Sequence, residues 1–284
     1  MSTETTSRPV VGVFWMLVTG VLFVGVTALV KFLGPRVPAP EAAFLRYVMG
    51  LVFFIPMLRP LLKTGLTRRQ WKLFAARGFA HSIGVALWFF AMARIPIADV
   101  TAMNYMSPIY VTLGAAFFLG EKLAARRIMA VIVALIGGII ILRPGFREVG
   151  LGHLAMLFTA LVFGASYLLA KILAEEVNAV VVVAMLSIFV SIGLAPLALM
   201  NWVTPDWQAL LILFCVASAA TAGHYTMTLA FAAAPVAVTQ PVSFLQLLWA
   251  VLLGYFVFDE GVDIWVIVGG LVIVGSVSFI TWRE

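Results

Sequence analysis

Apolar stretches of about twenty residues recur along nearly the whole chain, and no other feature limits its fold as strongly. A stretch of this length crosses a bilayer core of about 30 Å as a helix. The chain is 64% apolar and 11% charged, which is too little charge for a soluble protein. We therefore predict an all-α integral membrane protein. Its ten transmembrane helices are expected near 11–33, 41–62, 72–93, 98–119, 125–143, 152–172, 178–200, 208–232, 236–257 and 262–282.

The segments outside these stretches are short and polar. The first ten residues contain one arginine, and the apolar run after them is too long for a signal peptide and lacks a small-residue cleavage site. The first helix is therefore expected to stay in the membrane. Short connections leave no room for a soluble domain. Cys215 lies in an apolar run, so no intrachain disulfide is possible and a buried free thiol is expected.

The chain contains one pattern twice. Segments 17–34 and 157–174 align with each other, and so do segments 95–121 and 234–260. The matched residues include Thr19 with Thr159, Phe23 with Phe163, Lys31 with Lys171, and Glu121 with Glu260. We therefore predict two five-helix repeats, 1–145 and 146–284. In a membrane protein, such a repeat favours transport over chemistry.

The two repeats are expected to have opposite orientations, because five is an odd number of spans. Inverted repeats provide a route to alternating access, in which a site on the pseudo-two-fold axis opens to each side in turn. With a cytoplasmic N-terminus, most lysines and arginines at helix ends fall on the cytoplasmic side, so both termini are expected there. Attraction of this side to anionic lipid accounts for the net charge of +6 without a nucleic-acid partner.

The ten spans, the two repeats and the paired ends GEKLAARR at 120–127 and DEGVDIW at 259–265 resemble the drug/metabolite transporter superfamily. The chain is most similar there to EamA-type exporters, specifically the YddG-type amino-acid exporters. The resemblance implies ten helices around a central cavity, the inner membrane as location, and export of aromatic or other neutral amino acids. The residues also leave open a broad drug exporter, a nucleoside or sugar-derivative exporter, a channel, and a non-transporting scaffold. They leave the oligomeric state open as well, with a monomer as one option.

Charged groups inside the predicted helices are few. No Asp or Glu lies deep in a span, so a carboxylate that alternately binds substrate and proton is missing, which disfavours cationic substrates. His81 and His224 lie in the third and eighth helices. Each is either a helix-packing residue or a cavity residue that binds a carboxylate or titrates near neutral pH. We predict no metal site, no cofactor and no enzymatic activity, because the corresponding motifs are absent.

Several residues have a predicted structural or gating role. Arg46 and Arg77 are expected to snorkel or to pair with Glu41 or a helix C-terminus. Equivalent lysines at the ends of the first and sixth helices suggest anchoring at the interface. Glycine pairs at 137–138 and 269–270 indicate close packing of the fifth and tenth helices. The predicted structural or gating residues are Lys31, Arg46, Pro108, Glu121, Lys171, Pro241 and Glu260.

Polar and aromatic side chains concentrate in the first, third, fourth, sixth, eighth and ninth helices. Such groups hold a small zwitterion by hydrogen bonds and enclose its side chain by aromatic contact. The alternative is that they serve as interhelical contacts only. The predicted cavity residues are Trp15, Thr19, His81, Trp88, Thr101, Asn104, Tyr105, Ser107, Tyr167, His224, Tyr225, Ser243 and Gln246.

Overall fold

The computed structural model describes residues 9–57, 65–107, 109–110, 125–143, 145, 148–177, 179–200, 202–233, 242 and 245–282. These residues form ten α-helices and no strand, in agreement with the prediction of an all-α chain. The helices are α1 Pro9–Leu33, α2 Ala39–Gly50, α3 Arg68–Met92, α4 Ile97–Asn104, α5 Ala125–Leu142, α6 Leu151–Glu176, α7 Ala179–Met200, α8 Trp207–Ala233, α9 Leu245–Phe258 and α10 Ile264–Trp282.

Five segments of the described chain are long and apolar enough to cross a membrane. They are Val10–Arg36, Arg68–Met92, Leu151–Ala170, Val181–Met200 and Trp207–Met227. Shorter apolar helices lie at Val131–Leu142, Leu245–Phe258 and Ile264–Ser276. The bundle is therefore that of a multi-pass membrane protein.

Two of the predicted spans are not continuous α-helices. The second becomes a 3₁₀-helix at Leu51–Met57, and the fourth leaves the α-helical pattern after Asn104. There the Tyr105 N–H donates to the Ala102 carbonyl at 3.2 Å, an i to i−3 bond. Windowed hydropathy does not detect this interruption.

Each helix of one half packs mainly against a helix of the other half. Helix α1 packs on α8, α3 on α6, α2 on α7, α5 on α10, and α4 on α9. The first two contacts are equivalent in the repeat, and the other three pair a helix with its own counterpart. This is the arrangement that a two-fold relation between the halves produces, and it places their contact surface along the centre of the bundle.

The helix ends show that the repeat is inverted. Lys31 at the end of α1 lies 2.5 Å from Glu260, which follows α9, and the Ile97 N–H at the start of α4 donates to Glu260 at 3.0 Å. His153 at the start of α6 contacts Asp99 at the start of α4. Helix α1 therefore ends at the face where α6 begins. We call the face where α1 begins the first face and the face where it ends the second face.

Helices α5 and α10 approach through their glycines, as the sequence predicts. A Cβ atom on Gly137 would lie 2.8 Å from the Gly269 carbonyl oxygen, and one on Gly269 would lie 2.6 Å from the Gly137 oxygen. Neither distance is compatible with a side chain. The pair therefore sets the spacing between these two helices.

The expectation of a buried thiol is wrong, because Cys215 is exposed. Large apolar side chains are exposed as well, including Phe79 at 67% and Phe158 at 59%. In a bilayer such a surface faces lipid, which is as apolar as a protein core. An apolar run therefore does not show which of its residues are buried.

Candidate substrate site

A group of polar and aromatic side chains surrounds His81 at the contact of α3 with α6. The His81 ring is 6% exposed. Its Nε2 atom lies 3.0 Å from the Tyr47 hydroxyl and its Nδ1 atom 3.1 Å from the Ser166 hydroxyl. The ring stacks on Phe163, with 4.7 Å between centroids. Both ring nitrogens are therefore engaged.

Two further aromatic rings complete this group. The Trp88 ring lies 6.3 Å from Phe163, and the Tyr167 ring lies 6.5 Å from His81. Gly84 makes the approach possible, because a Cβ atom there would lie 2.6 Å from the Phe163 ring. Tyr167 stays 40% exposed, so the group opens on one side. We call it the α6 cluster: Tyr47, His81, Trp88, Phe163, Ser166 and Tyr167.

A second group lies at the contact of α1 with α8 and α9. The Phe23 ring meets the His224 ring edge-on, with 5.1 Å between centroids. The hydroxyl groups of Thr19 and Thr226 are hydrogen-bonded at 2.8 Å. Thr19 also donates to the Trp15 carbonyl. We call this group the α1 cluster: Thr19, Phe23, His224, Thr226, Gln246 and Trp249.

Helix α9 reaches the α1 cluster beside a glycine. A Cβ atom on Gly20 would lie 3.1 Å from Gln246 Cγ and 4.0 Å from Trp249 Cδ1. A Cβ atom at position 20 would therefore press on Gln246, whereas it would only touch Trp249. Gln246 was predicted as a cavity residue, whereas Trp249 lay in the same helix segment and was not singled out.

The two clusters are related by the repeat. Phe23 and Phe163 are equivalent in sequence, and each contacts a histidine from the third helix of the other half. The histidines are not aligned, since Gly84 aligns with Gly223 and His224 follows that glycine directly. The structure nevertheless brings both to equivalent rings. Together the two clusters form what we call the seam.

Two buried arginines adjoin the seam. Arg46 and Arg77 are each 6% exposed. The Arg46 guanidinium lies over the Tyr47 ring, 4.1 Å from its centroid. Arg77 donates from Nη1 to the Val182 carbonyl at 3.0 Å, whereas its Nε has no hydrogen-bond partner among the described residues. Both side chains are thus held inside the bundle.

Snorkelling, or pairing with Glu41 or a helix C-terminus, was the expectation for both arginines. The Arg46 side chain is buried, and Glu41 accepts the Val203 N–H at 2.9 Å. Two guanidinium groups, which stay charged in proteins, are therefore buried beside the seam.

Four buried polar atoms of aromatic and polar side chains have no hydrogen-bond partner in the described part of the chain. They are Trp88 Nε1, Asn104 Oδ1, Ser107 Oγ and Trp249 Nε1. Ser107 adjoins the α6 cluster, because a Cβ atom on Gly164 would lie 3.2 Å from the Ser107 carbonyl oxygen. Buried polar groups are normally hydrogen-bonded, so these four atoms are exceptional within the bundle.

The remaining predicted cavity residues have other surroundings. Thr101 donates to the Ile97 carbonyl of its own helix at 2.9 Å. Tyr105 is 8% exposed and follows α4 directly, where its N–H donates to the Ala102 carbonyl. Tyr225 is 63% exposed and lies outside both clusters. Predictions for Pro108, Glu121, Pro241, Ser243 and the Lys171 side chain lie outside the described residues.

The second face carries paired charges instead. Among the described residues, three pairs of a basic and an acidic side chain join the two halves there: Lys31 with Glu260, Arg143 with Asp263, and His153 with Asp99. We call them the second-face pairs. A cavity of about 160 Å³ lies beside their three carboxylates. The fold identifies these pairs, because it brings the helix ends together. The sequence shows only that charged residues lie at those ends.

The turn after α9 places one of these carboxylates. Asp259 adopts a left-handed conformation with φ 54°, which ends the helix, and the Glu260 N–H donates to the Gly254 carbonyl at 3.0 Å. A Cβ atom on Gly254 would lie 2.5 Å from Glu260 Oε2. The glycine therefore makes room for Glu260 to reach Ile97 and Lys31, and through Glu260 the end of α1 is joined to the start of α4.

The fold and the seam are those of a multi-pass membrane transporter. A model of the EamA-like transporter family matches residues 10–143 and again residues 150–282. The chain belongs to this family, which confirms the predicted resemblance to the EamA family of the drug/metabolite transporter superfamily. It also confirms transport instead of enzymatic activity.

Individual relatives match over nearly the full length. The riboflavin transporter of Rhizobium johnstonii is 31% identical over 98% of this chain and 93% of its own. The S-adenosylmethionine uptake transporter of Rickettsia prowazekii is 23% identical over 96% of this chain and 93% of its own. A solved structure described as "Crystal structure of protein" aligns over 98% of both chains with a TM-score of 0.64 and 18% identity, which shows the fold alone. These relatives are not named for amino acids.

Proposed function

We propose that the protein is an inner-membrane carrier that moves a small metabolite with a planar ring by alternating access, with its substrate site at the seam. The observation that carries this proposal is the combination of rings and unpartnered polar atoms there. Trp88 and Trp249 each present a buried N–H without a partner among the described residues next to the rings of their clusters. A planar substrate stacks on such rings and bonds to such groups at the same time.

Three kinds of substrate meet this description. Riboflavin has a flat ring system with carbonyl and amide groups at its edge, and a relative at 31% identity is named for it. S-adenosylmethionine carries an adenine ring and gives its name to another relative. Aromatic amino acids are the substrate that the resemblance to YddG-type exporters implies. All three combine an aromatic surface with hydrogen-bonding groups.

The alternating-access part of the proposal rests on the relation between the clusters. Equivalent phenylalanines contact equivalent helices, so the two halves are able to exchange conformations around the seam. The second-face pairs join the halves in the present conformation. Opening towards that face requires these pairs to separate, whereas opening towards the first face does not.

Counterflow in proteoliposomes tests the proposal. Vesicles loaded with unlabelled riboflavin, S-adenosylmethionine or tryptophan should exchange a labelled copy of one of these compounds, and the rate should saturate with concentration. Flux without saturation would indicate a channel. No flux for any of the three would indicate a scaffold or a different substrate class, and either result overturns the proposal.

Matched variants locate the site. Phe163→Ala removes the ring under His81 and should raise the half-saturating concentration about fivefold, because stacking on an aromatic ring contributes about 1 kcal/mol beyond burial. Phe158→Ala is the control: it lies on the same helix but is 59% exposed. Equal effects of the two variants would contradict a site at the seam.

Direction and orientation need a separate measurement. Export with both termini in the cytoplasm is the expectation, although one relative is named for uptake. In a Cys215→Ser background, a cysteine added at the C-terminus should react with an impermeant maleimide in inside-out vesicles only. Substrate accumulation in those same vesicles would indicate export, and its absence there with accumulation in right-side-out vesicles would indicate uptake.

A further inference from the structure

Two buried positive charges face the seam, and no carboxylate of the described residues pairs with either of them. Ion pairs of the described residues involve Lys31, Arg69, Arg143 and His153, and none includes Arg46 or Arg77. An arginine at the centre of a membrane helix costs about 2.5–3.5 kcal/mol on insertion scales. Buried charges are normally paired. A pair of uncompensated guanidinium groups therefore calls for an anion from elsewhere.

The observed contacts of the two arginines use only some of their N–H donors. The Arg46 guanidinium carbon lies 4.1 Å from the centroid of the Tyr47 ring, and a cation–π contact of this kind leaves N–H donors of the guanidinium available. Arg77 uses Nη1 for the Val182 carbonyl, and its buried Nε has no partner among the described residues. A guanidinium edge matches the two oxygens of a carboxylate or phosphate.

We infer that Arg46 and Arg77 bind an anionic group of the transported substrate, a carboxylate or a phosphate, while its ring lies against the α6 cluster. This inference rests on the proposed function, because it places the anion on the same molecule as the ring. Among ring-bearing metabolites it selects those with an acidic group. Riboflavin itself has none, whereas flavin mononucleotide, S-adenosylmethionine and aromatic amino acids each have one.

The alternative is that the arginines only brace the bundle. Arg77 bonds to α7, and Arg46 packs on its neighbour in α2, so both contacts would also serve folding. A bracing residue affects every ligand equally, whereas an anion-binding residue affects only ligands that carry the anion. The experiment therefore compares ligands that differ in this group alone.

The first measurement uses the anion by itself. Purified protein in detergent is melted in phosphate, in acetate and in chloride of equal ionic strength. Phosphate or acetate should raise the melting temperature of the wild type above its value in chloride, because a ligand that binds only the folded state stabilises it. Arg46→Gln and Arg77→Gln should abolish this difference. An equal melting temperature of the wild type in all three salts overturns the inference.

The matched control is Arg69→Gln. Arg69 lies on the same helix as Arg77, two turns away, and pairs with Glu176 at the first face. This variant should keep the anion-dependent stabilisation. Arg46→Lys and Arg77→Lys should keep part of it, because lysine retains the charge but not the two-pronged geometry. Loss of the anion effect in Arg69→Gln as well would overturn the inference.

The second measurement uses two ligand pairs that differ in the acidic group: flavin mononucleotide with riboflavin, and tryptophan with tryptamine. In competition assays, Arg46→Gln and Arg77→Gln should weaken the acidic member about ten- to hundredfold and change the other member less than about twofold. Equal weakening of both members indicates bracing and overturns the inference. If the anion stabilises the wild type but no ring ligand binds, the proposed ring substrate fails and the anion site stands.

Discussion

The second face and the seam handle charge in opposite ways. At the second face, each basic side chain of the three pairs meets an acidic one from the other half, and Lys31 and Glu260 are only 19% and 12% exposed. In the seam, Arg46 and Arg77 are more deeply buried, yet they contact an aromatic ring and a backbone carbonyl instead of a carboxylate. Both regions lie between the halves.

This difference separates a structural contact from a binding site. A paired charge has already gained its Coulomb interaction, so it holds two elements together and offers little to a ligand. A buried charge without such a partner is still able to form an ion pair with an anionic ligand. In our proposal, the same bundle uses charge to join its halves at one level and to receive a substrate at another.

Breaking a second-face pair should have the largest effect. Glu260→Gln leaves Lys31 partly buried without its carboxylate and should destabilise the protein by about 3 kcal/mol. Adding Lys31→Met should restore part of this loss, because no charge then remains. Melting temperatures of the two single variants and the double variant measure the coupling. Strictly additive losses would show that the pair is not coupled.

Giving the seam its own carboxylate makes it resemble the second face. Tyr47→Glu puts an acid beside the Arg46 guanidinium, which lies 4.1 Å from the present ring, and should weaken an anionic substrate about thirtyfold by occupying the arginine. Tyr47→Phe is the control, since it removes only the hydroxyl that contacts His81. Competition assays compare the two, and equal weakening would argue against a charge effect.

The glycine contact between α5 and α10 involves no charge, so it tests packing separately from the charges of the second face and the seam. Gly269→Ala places a Cβ atom 2.6 Å from the Gly137 oxygen and should destabilise the protein by about 2 kcal/mol through overpacking. Substrate affinity should stay unchanged. Gly275→Ala on the same helix meets nothing within 4 Å and should be neutral or slightly stabilising. Thermal unfolding checks both, and equal losses would contradict a spacing role for Gly269.

The exposed pair at the first face should have the smallest effect. The Arg69 hydrogen bond, together with Gln70, lowers the pKa of Glu176, which lies outside the apolar span. Because the folded pKa is lowered, the pair contributes above the ordinary glutamate pKa, and this contribution is lost as pH falls through the lowered value. Glu176→Gln should therefore melt slightly below the wild type at neutral pH and together with it in acid. If Glu176→Gln lowered the melting temperature more than Glu260→Gln does, the exposed pair would be the more important one, contrary to this prediction.

Much of the seam follows from the sequence. His81, His224, Trp88 and Thr19 are predicted because polar and aromatic residues inside apolar spans stand out. The partners of these residues do not stand out in the same way: Tyr47 and Thr226 are recognised only by the side chains they touch. A contact between helices more than thirty residues apart leaves no local pattern.

The sequence by itself determined that the chain is an all-helical membrane protein of two related halves, because the length of an apolar run and its repetition are properties of the chain. Only the tertiary structure decided which residues are buried and which charges meet. The bilayer is as apolar as the protein interior, so hydropathy does not distinguish a lipid-facing Cys215 from a core residue. Likewise, Arg46 and Lys31 are both cations near helix ends, and only the packing of the other half gives one of them a carboxylate.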